Sequence, residues 1–264
     1  MRVMTYNVLN GGRARMARIA DIIRTQRPDL LVLQECVGWE DGDSHVQVVA
    51  AAMNVEADTA HARVGLSSPR GSGICYNVSI FSRAPMQFIV HAYAGALAHC
   101  IVEARVGFDG KTLTLYGTHF NAHDEDLRVA EASHLGFLVG DGGLPEYSLL
   151  AGDLNALTRD DPYPPDLEER FLTHGVRKYG CPPRFDVMRQ LQAQGWRDTL
   201  HAHGPAREWI TAWRPHGNPK LGLRTDYILA SAALLDRLDR AWIVPDYDAS
   251  DHAPVLADFH DGHP

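Results

Sequence analysis

Tyr147-Ser148-Leu149-Leu150-Ala151-Gly152-Asp153-Leu154-Asn155 is the stretch from which the fold is read. Its apolar run suits a buried strand, and that strand runs straight into Asp153 and Asn155. A buried strand has little reason to finish in a carboxylate unless the group meets a cation, a donor or water. The same construction recurs along the chain. Asn7 ends the run from Arg2, Glu35 follows Leu30-Leu31-Val32-Leu33-Gln34, and His119 ends Leu113-Thr114-Leu115-Tyr116-Gly117-Thr118. Asp226 opens Asp226-Tyr227-Ile228-Leu229, and Asp251-His252 precedes Ala253-Pro254-Val255. Each case alone reads most simply as a helix cap or turn residue. Their repetition along one chain is much harder to dismiss that way.

Around these ends the elements alternate. Arg2 to Val8 reads as a strand, and Arg15 to Gln26 as a helix with Met16, Ile19, Ala20 and Ile23 on one face. Pro28-Asp29 stops that helix before the apolar strand from Leu30, and a second helix is expected over Ser44 to Met53. Strands follow at Ile74 to Phe81, Phe88 to Tyr93, Cys100 to Gly107 and Thr112 to His119, with Asp109-Gly110 as a hairpin turn. Next come a helix over Glu125 to Val139 and a strand over Tyr147 to Ala151. The long polar region from Thr158 to Arg224 holds a helix over Arg184 to Gln194. The chain closes with strand Asp226 to Ala230, a short helix, and strands Ala241 to Val244 and Pro254 to Phe259. Strand runs broken by helices, in two halves, predict two sheets packed face to face with helices outside.

The 264 residues carry 25 Lys plus Arg against 33 Asp plus Glu, a net charge of −8, and 45% are hydrophobic. This composition excludes disordered, collagen-like and coiled-coil chains, and the length suits a single catalytic domain over 1–264. The acidic balance argues against a broad cationic surface for a nucleic-acid backbone, while leaving room for a local basic groove. No stretch has the roughly 18 apolar residues a membrane-spanning helix needs, and no signal peptide opens the chain. Cys36, Cys75, Cys100 and Cys181 lie far apart, as reduced structural thiols in a cytoplasmic protein would.

Asparagine and carboxylate oxygens without thiolates suit a hard cation, Mg²⁺ or Mn²⁺. Two histidines and a further carboxylate beside such a site suit phosphate-ester hydrolysis, where a cation offsets oxyanion charge and a base activates water. His119 and His123 have zinc-pair spacing, but they follow a strand and no Glu succeeds His119, so His123 is assigned to the rim. Arg128 and Glu131 are expected to pair on a helix surface, and His201, His203, His260 and His263 to face solvent.

Seven short motifs stand in order. They are Thr5-Tyr6-Asn7-Val8, Leu33-Gln34-Glu35, Ile80-Phe81-Ser82-Arg83, Gly117-Thr118-His119-Phe120, Ala151-Gly152-Asp153-Leu154-Asn155, Arg224-Thr225-Asp226-Tyr227-Ile228 and Ser250-Asp251-His252-Ala253-Pro254-Val255. In that order and spacing the chain resembles the endonuclease/exonuclease/phosphatase superfamily, the DNase I-like fold, over its whole length. The resemblance implies a four-layer α/β sandwich of two mainly antiparallel sheets flanked by helices, with the site at one edge of both. It implies Glu35 as principal metal ligand, with Asn7 and Asp251 near the cation. Asp153 and Asn155 would handle the attacking water and a phosphate oxygen, His252 would be oriented by Asp226, and His119 would donate to the phosphoryl group.

The motif Thr118-His119-Phe120-Asn121-Ala122-His123 looks more like the phosphatase, phosphodiesterase and neutral sphingomyelinase branches than the abasic-site nucleases, and Leu9 stands where those nucleases carry an acid. The expected substrate is therefore a phosphorylated small molecule or phosphodiester, with nucleic acid not favoured. A DNA or RNA nuclease is the alternative, marked by a basic groove leading to Glu35. A non-catalytic binding module on the same fold is the other. Asn121 and Trp213 are assigned to substrate. Trp209, Thr211 and Trp213 either pack under the long loop or wall the pocket, and nothing in the spacing of Asp160, Asp161, Tyr163 and Arg184, in the same insertion, demands that they touch substrate.

Overall fold

A computed structural model of the chain describes residues 1–40, 42–69, 73–92, 95–140, 142–204, 209–212 and 221–262. In chain order the elements are β1 (Arg2–Asn7), α1 (Met16–Gln26), β2 (Leu30–Gln34), α2 (Ser44–Met53), β3 (Ala62–Gly65), β4 (Val78–Ser82), β5 (Gln87–His91), β6 (Ile101–Phe108) and β7 (Lys111–His119). They continue as α3 (Glu125–Val139), β8 (Tyr147–Asp153), α4 (Leu167–Thr173), α5 (Asp186–Ala193), β9 (Arg197–Asp198), α6 (Thr199–His203), β10 (Asp226–Ala230), α7 (Ala232–Leu235), β11 (Leu238–Ile243) and β12 (Val255–Phe259). Two six-stranded sheets result, ordered β11-β12-β1-β2-β4-β3 and β5-β6-β7-β8-β10-β9. Only β1 with β2 and β7 with β8 pair parallel among the described strands; the other pairs are antiparallel.

Alternate strand residues give each sheet an inner and an outer face. Val32, Ile80, Val102, Leu115, Leu149, Ile228 and Val255 form the core between the sheets. Leu31, Leu33 and Leu256 face outward onto Ile19 and Ile23 of α1 and Val46 and Val49 of α2. On the other side, Tyr116, Leu150 and Leu229 meet Ala132 and Leu135 of α3 and Leu191 of α5. The four-layer expectation is met: helix, sheet, sheet, helix. The sheets approach closely at Gly65 and Gly117, where an added Cβ would lie 2.4 Å from Val102 Cγ2 and 2.8 Å from Val32 Cγ1.

The departures have local causes. The strand expected from Ile74 begins at Val78: the Asn77 backbone oxygen accepts from Cys36 N–H, and its side chain accepts from Ser67 N–H and donates to Trp39 C=O. The short elements β3, α4, β9 and α6 lack the length for a periodic signal. Tyr93, expected to end a strand, lies outside the described residues. Arg128 and Glu131, expected as a surface pair, are both buried. Arg128 pairs with Glu125 at 2.8 Å and donates to Asn121 C=O at 2.8 Å and to Lys178 C=O. Glu131 accepts from Ala98 N–H at 2.5 Å and Asn121 N–H at 2.6 Å. The N-terminal half of the inner face of α3 is therefore written in charge, because it packs on loops whose backbone groups need partners.

Sheet register then places the site. His119 is level with Asp153 across β7 and β8, and Asp153 is level with Asp226 across β8 and β10. Asn7 and Gln34 are level at the ends of β1 and β2. At Gly152, φ is 154° and an added Cβ would lie 1.9 Å from Thr118 O, so this step of the β7–β8 ladder admits only glycine.

Candidate active site

Beyond β1 the chain makes an unusual turn. Leu9, Asn10, Gly11, Gly12 and Arg13 all have positive φ, between 45° and 76°. Left-handed backbone costs non-glycine residues about 1–2 kcal/mol each, so the surroundings must enforce it. Glu35 is the reason: Asn10 N–H donates to its Oε2 at 2.9 Å, and Gly11 N–H to its backbone oxygen at 2.7 Å. Trp39 Nε1 locks the turn by donating to Gly11 C=O at 3.1 Å. Glu35 itself has φ 57°, which turns its carboxylate off the end of β2.

Asn7 is fully buried and bridges the two sheets. Its Nδ2 donates to Glu35 Oε1 and to Asp153 Oδ2, both at 3.2 Å, while its Oδ1 accepts from Leu9 N–H at 3.0 Å. Expected beside a cation, Asn7 is found holding two carboxylates together, with its own oxygen engaged.

Asp153 is the centre of the arrangement. Its Oδ1 accepts from Asn155 N–H at 2.9 Å. His119 Nε2 stands 3.6 Å from its Oδ2 and His252 Nε2 3.8 Å. Burial alone would raise this carboxyl; the charges of His252 and His119, the Asn155 N–H and Lys178 outweigh it and hold Asp153 below the usual carboxylate range. His252 Nδ1 bonds Asp226 Oδ2 at 2.8 Å, fixing which ring nitrogen faces Asp153. Burial opposes charge on this ring, but Asp226, Asp153 and Asp251 surround it with carboxylates and push its pKa well above the ordinary imidazole value. Burial and the Asp153 charge act against ionisation of Asp226 while His252 favours it. The ring faces three carboxylates, so the shared proton belongs on His252.

Asp153, Asp226 and His252 also offer three ligand atoms within 4.8 Å, an acidic grouping able to receive a metal. The Asp226–His252 bond already engages two of those groups. Glu35 and Asp251 fit a hard cation better: both line the same cavity, of about 480 Å³. Asp251 Oδ1 is buried without a hydrogen-bond partner. Burial pushes the Asp251 carboxyl up, and neighbouring Glu35 adds to the rise, as like charges sharing a site do. His119 Nδ1 and Asp226 Oδ1 are likewise buried without partners. Three such atoms at one site are groups that a ligand could complete.

Several contributors carry no sequence signal. Lys178 reaches Asn155 Oδ1 at 3.4 Å from a loop without periodicity. His99 stacks on His119, ring centroids 4.5 Å apart at 27°. Thr211 Oγ1 accepts from Thr225 N–H and Asp226 N–H, so it supports β10 rather than substrate. Asn121 lines a second cleft, but its Oδ1 is taken by His123 N–H and Asp124 N–H. His123 is on the rim of that cleft. Trp213 lies outside the described residues. Asp161 is buried, bonding Arg224 and Tyr163, and neither it nor Asp160, Tyr163 or Arg184 lines the cavity at Asp153. Arg184 spans Asp126 and Asp186, tying α3 to α5, and His201, exposed as expected, also bonds Asp161 at 3.0 Å.

The Endonuclease/Exonuclease/phosphatase family pattern matches residues 4–252. The chain belongs to that family. Its fold is shared by a 3′ phosphatase, NExo, from Neisseria bound to product DNA hairpin, with TM-score 0.69, 22% identity, and coverage of 98% of this chain and 99% of that one. A 3′-5′ exonuclease, NExo, from Neisseria meningitidis has TM-score 0.69 and 24% identity over 98% of this chain and 99% of its own. An AP endonuclease from Archaeoglobus fulgidus has TM-score 0.67 and 18% identity over 98% and 99%. No curated protein matches the chain. No helix among the described residues is long and apolar enough to cross a membrane.

Proposed function

We propose that this chain, working as one catalytic unit over 1–264, is a divalent-cation-dependent phosphoesterase that hydrolyses a phosphate ester by in-line attack of water. One observation carries the reading. Asn7 Nδ2, His119 Nε2 and His252 Nε2 converge on Asp153 Oδ2, with Glu35 and Asp251 in the same cavity. Glu35 and Asp251 would hold Mg²⁺ or Mn²⁺, with Asn7 bracing Glu35 from beneath. Such a cation, when bound, offsets negative charge on the phosphoryl oxygens.

The side chains divide the remaining work. Asp153, with Asn155 and His252 beside it, aligns a water and accepts its proton. Asp226 keeps the His252 ring in one orientation and supports its charge. His119, braced by the His99 ring, donates to a phosphoryl oxygen. A non-catalytic module would have no need of three groups converging on one buried carboxylate oxygen.

A panel of phosphomonoesters, phosphodiesters and short DNA and RNA, assayed with chelator and then with Mg²⁺ or Mn²⁺, tests the reading. Hydrolysis should vanish in chelator and return with metal. Full activity in chelator would remove Glu35 and Asp251 from their role. Nucleic acid belongs in the panel because the similar structures include a phosphatase with product DNA and an exonuclease. Against that reading, the described walls of the cavity carry one lysine, Lys178, and no arginine.

A further inference from the structure

The catalytic groups do not sit at the bottom of one pocket. Two clefts meet over them, one of about 480 Å³ and one of about 560 Å³, and they share Glu35, His119 and Ala122. Both are of a size that takes a small organic group. The first is walled by His174, Lys178, Tyr179, Leu221 and Leu223. The second is walled by Leu9, Ile74, Tyr76 and His99, with Asn121 and His123 at its edge. A phosphomonoester has one organic arm and would fill one cleft. A diester has two.

The clefts also differ in what they hold. Asp153, Asn155 and His252, the groups assigned to water, line the first cleft and not the second. In-line displacement places the incoming and departing oxygens on opposite sides of phosphorus. Water entering beside Asp153 therefore sends the leaving oxygen toward the second cleft. That cleft is built for a flat or apolar group: the Tyr76 and His99 rings meet at 5.7 Å and 63°, and His99 stacks on His119. Glu35 is the one Asp or Glu among its described walls.

We propose that the substrate is a phosphodiester whose leaving alcohol, aromatic or apolar, sits in the Ile74–Tyr76–His99 cleft, while its retained arm lies along Lys178, Tyr179 and Leu221. The inference rests on the phosphoesterase reading and specifies its substrate. In the step, the water oxygen bonds to phosphorus as the bond from phosphorus to the leaving oxygen breaks. One water proton goes to Asp153, and the leaving oxygen takes a proton from solvent. The products are a phosphomonoester and an alcohol, so an enzyme acting next on the retained arm would be a phosphomonoesterase.

Three probes sharing the p-nitrophenyl leaving group separate the arms: p-nitrophenyl phosphate, methyl p-nitrophenyl phosphate, and thymidine 5′-(p-nitrophenyl phosphate). With Mn²⁺, the thymidine diester should exceed the monoester in kcat/KM by about tenfold or more, since of the three it alone fills both clefts, with the methyl diester between them. Ile74 is 39% exposed, so Ile74→Ala should leave the fold intact, which circular dichroism checks. It should lower kcat/KM for both diesters by the same factor, about three- to tenfold. Leu221→Ala should lower only the thymidine diester. Equal or better use of the monoester, or an Ile74→Ala loss confined to the thymidine diester, would overturn the inference while leaving a working phosphoesterase. No hydrolysis of any of these esters or of the wider panel would instead bring down the reading beneath it.

Discussion

Two regions wall the cavity at Asp153, and they are made differently. The strand ends supply Asp153 and His119 to the wall, with Asn7 and Asp226 buried behind them, each placed by sheet register at a fixed step from its neighbour. Residues 158–224 supply Lys178, Tyr179 and Leu221, and they are held by a buried charge cluster instead. In that cluster Arg224 meets Asp198 at 2.6 Å and Asp161 at 3.0 Å, and Tyr163 donates to Asp161 at 3.1 Å. Register is a consequence of many cooperative hydrogen bonds, whereas the cluster depends on a few ions that fail together. Strand-end changes should therefore damage chemistry and spare the fold. Cluster changes should do the reverse.

The largest effects test the first half of that contrast. His252→Ala and His119→Ala should each lower turnover by about 10²–10⁴-fold, the range for a positioned acid–base or charge-stabilising group. Melting temperatures should stay near that of the parent. Adding Asp226→Asn to His252→Ala should cost little more than His252→Ala alone, because the two act as one unit. Fully additive losses would separate Asp226 from His252.

Arg224→Met tests the second half. It leaves Asp161 and Asp198 buried without their cation, and should destabilise by about 3–5 kcal/mol. Urea denaturation measures this; a loss below about 1 kcal/mol would mean the cluster does not hold the insertion. Next in size, Glu35→Gln should weaken Mn²⁺ binding by about 10–100-fold, read by calorimetry without substrate. Unchanged affinity would place the cation elsewhere.

The smallest effect concerns His201, which faces Asp161 at 3.0 Å, Asp198 at 4.0 Å and the Arg224 guanidinium. Its hydrogen bond to Asp161 raises its pKa above the ordinary 6.5, against burial. The raised value means this contribution is fully present below pH 6.5 and is lost as pH rises through the folded-state pKa. Melting temperature should fall between pH 6 and pH 8, and His201→Gln should flatten part of that fall. An identical slope in the variant would show that His201 contributes nothing.

The same contrast explains what was legible in the sequence. An apolar run that stops at Asp153 or Glu35 announces itself, because burial explains the run and nothing local explains the carboxylate. The order of such ends carried the layer architecture and brought eight residues expected from sequence, from Asn7 to His252, to one place. Lys178 and His99 had no such contrast with their neighbours. Lys178 is set by Arg128, fifty residues away, donating to its backbone oxygen. Arg128 and Glu131 misled because spacing on a helix reports which side chains are neighbours, not whether that face meets water. Asn7 showed its place but not its orientation, since an amide offers a donor and an acceptor from the same carbon.

The Asn7 bridge has a mechanical consequence. Asn7 belongs to one sheet and Glu35 follows the strand beside it, while Asp153 belongs to the other sheet, and Asn7 reaches Asp153 by one hydrogen bond of 3.2 Å. A slip of one sheet over the other by a few tenths of an ångström changes that distance directly. The close packing at Val32–Gly117 and Val102–Gly65, between the sheets, resists such slip. The catalytic centre is thus a strain gauge for the whole core. Hydrostatic pressure or mild denaturant, at levels that loosen the inter-sheet packing, should register as lost turnover before any strand unfolds.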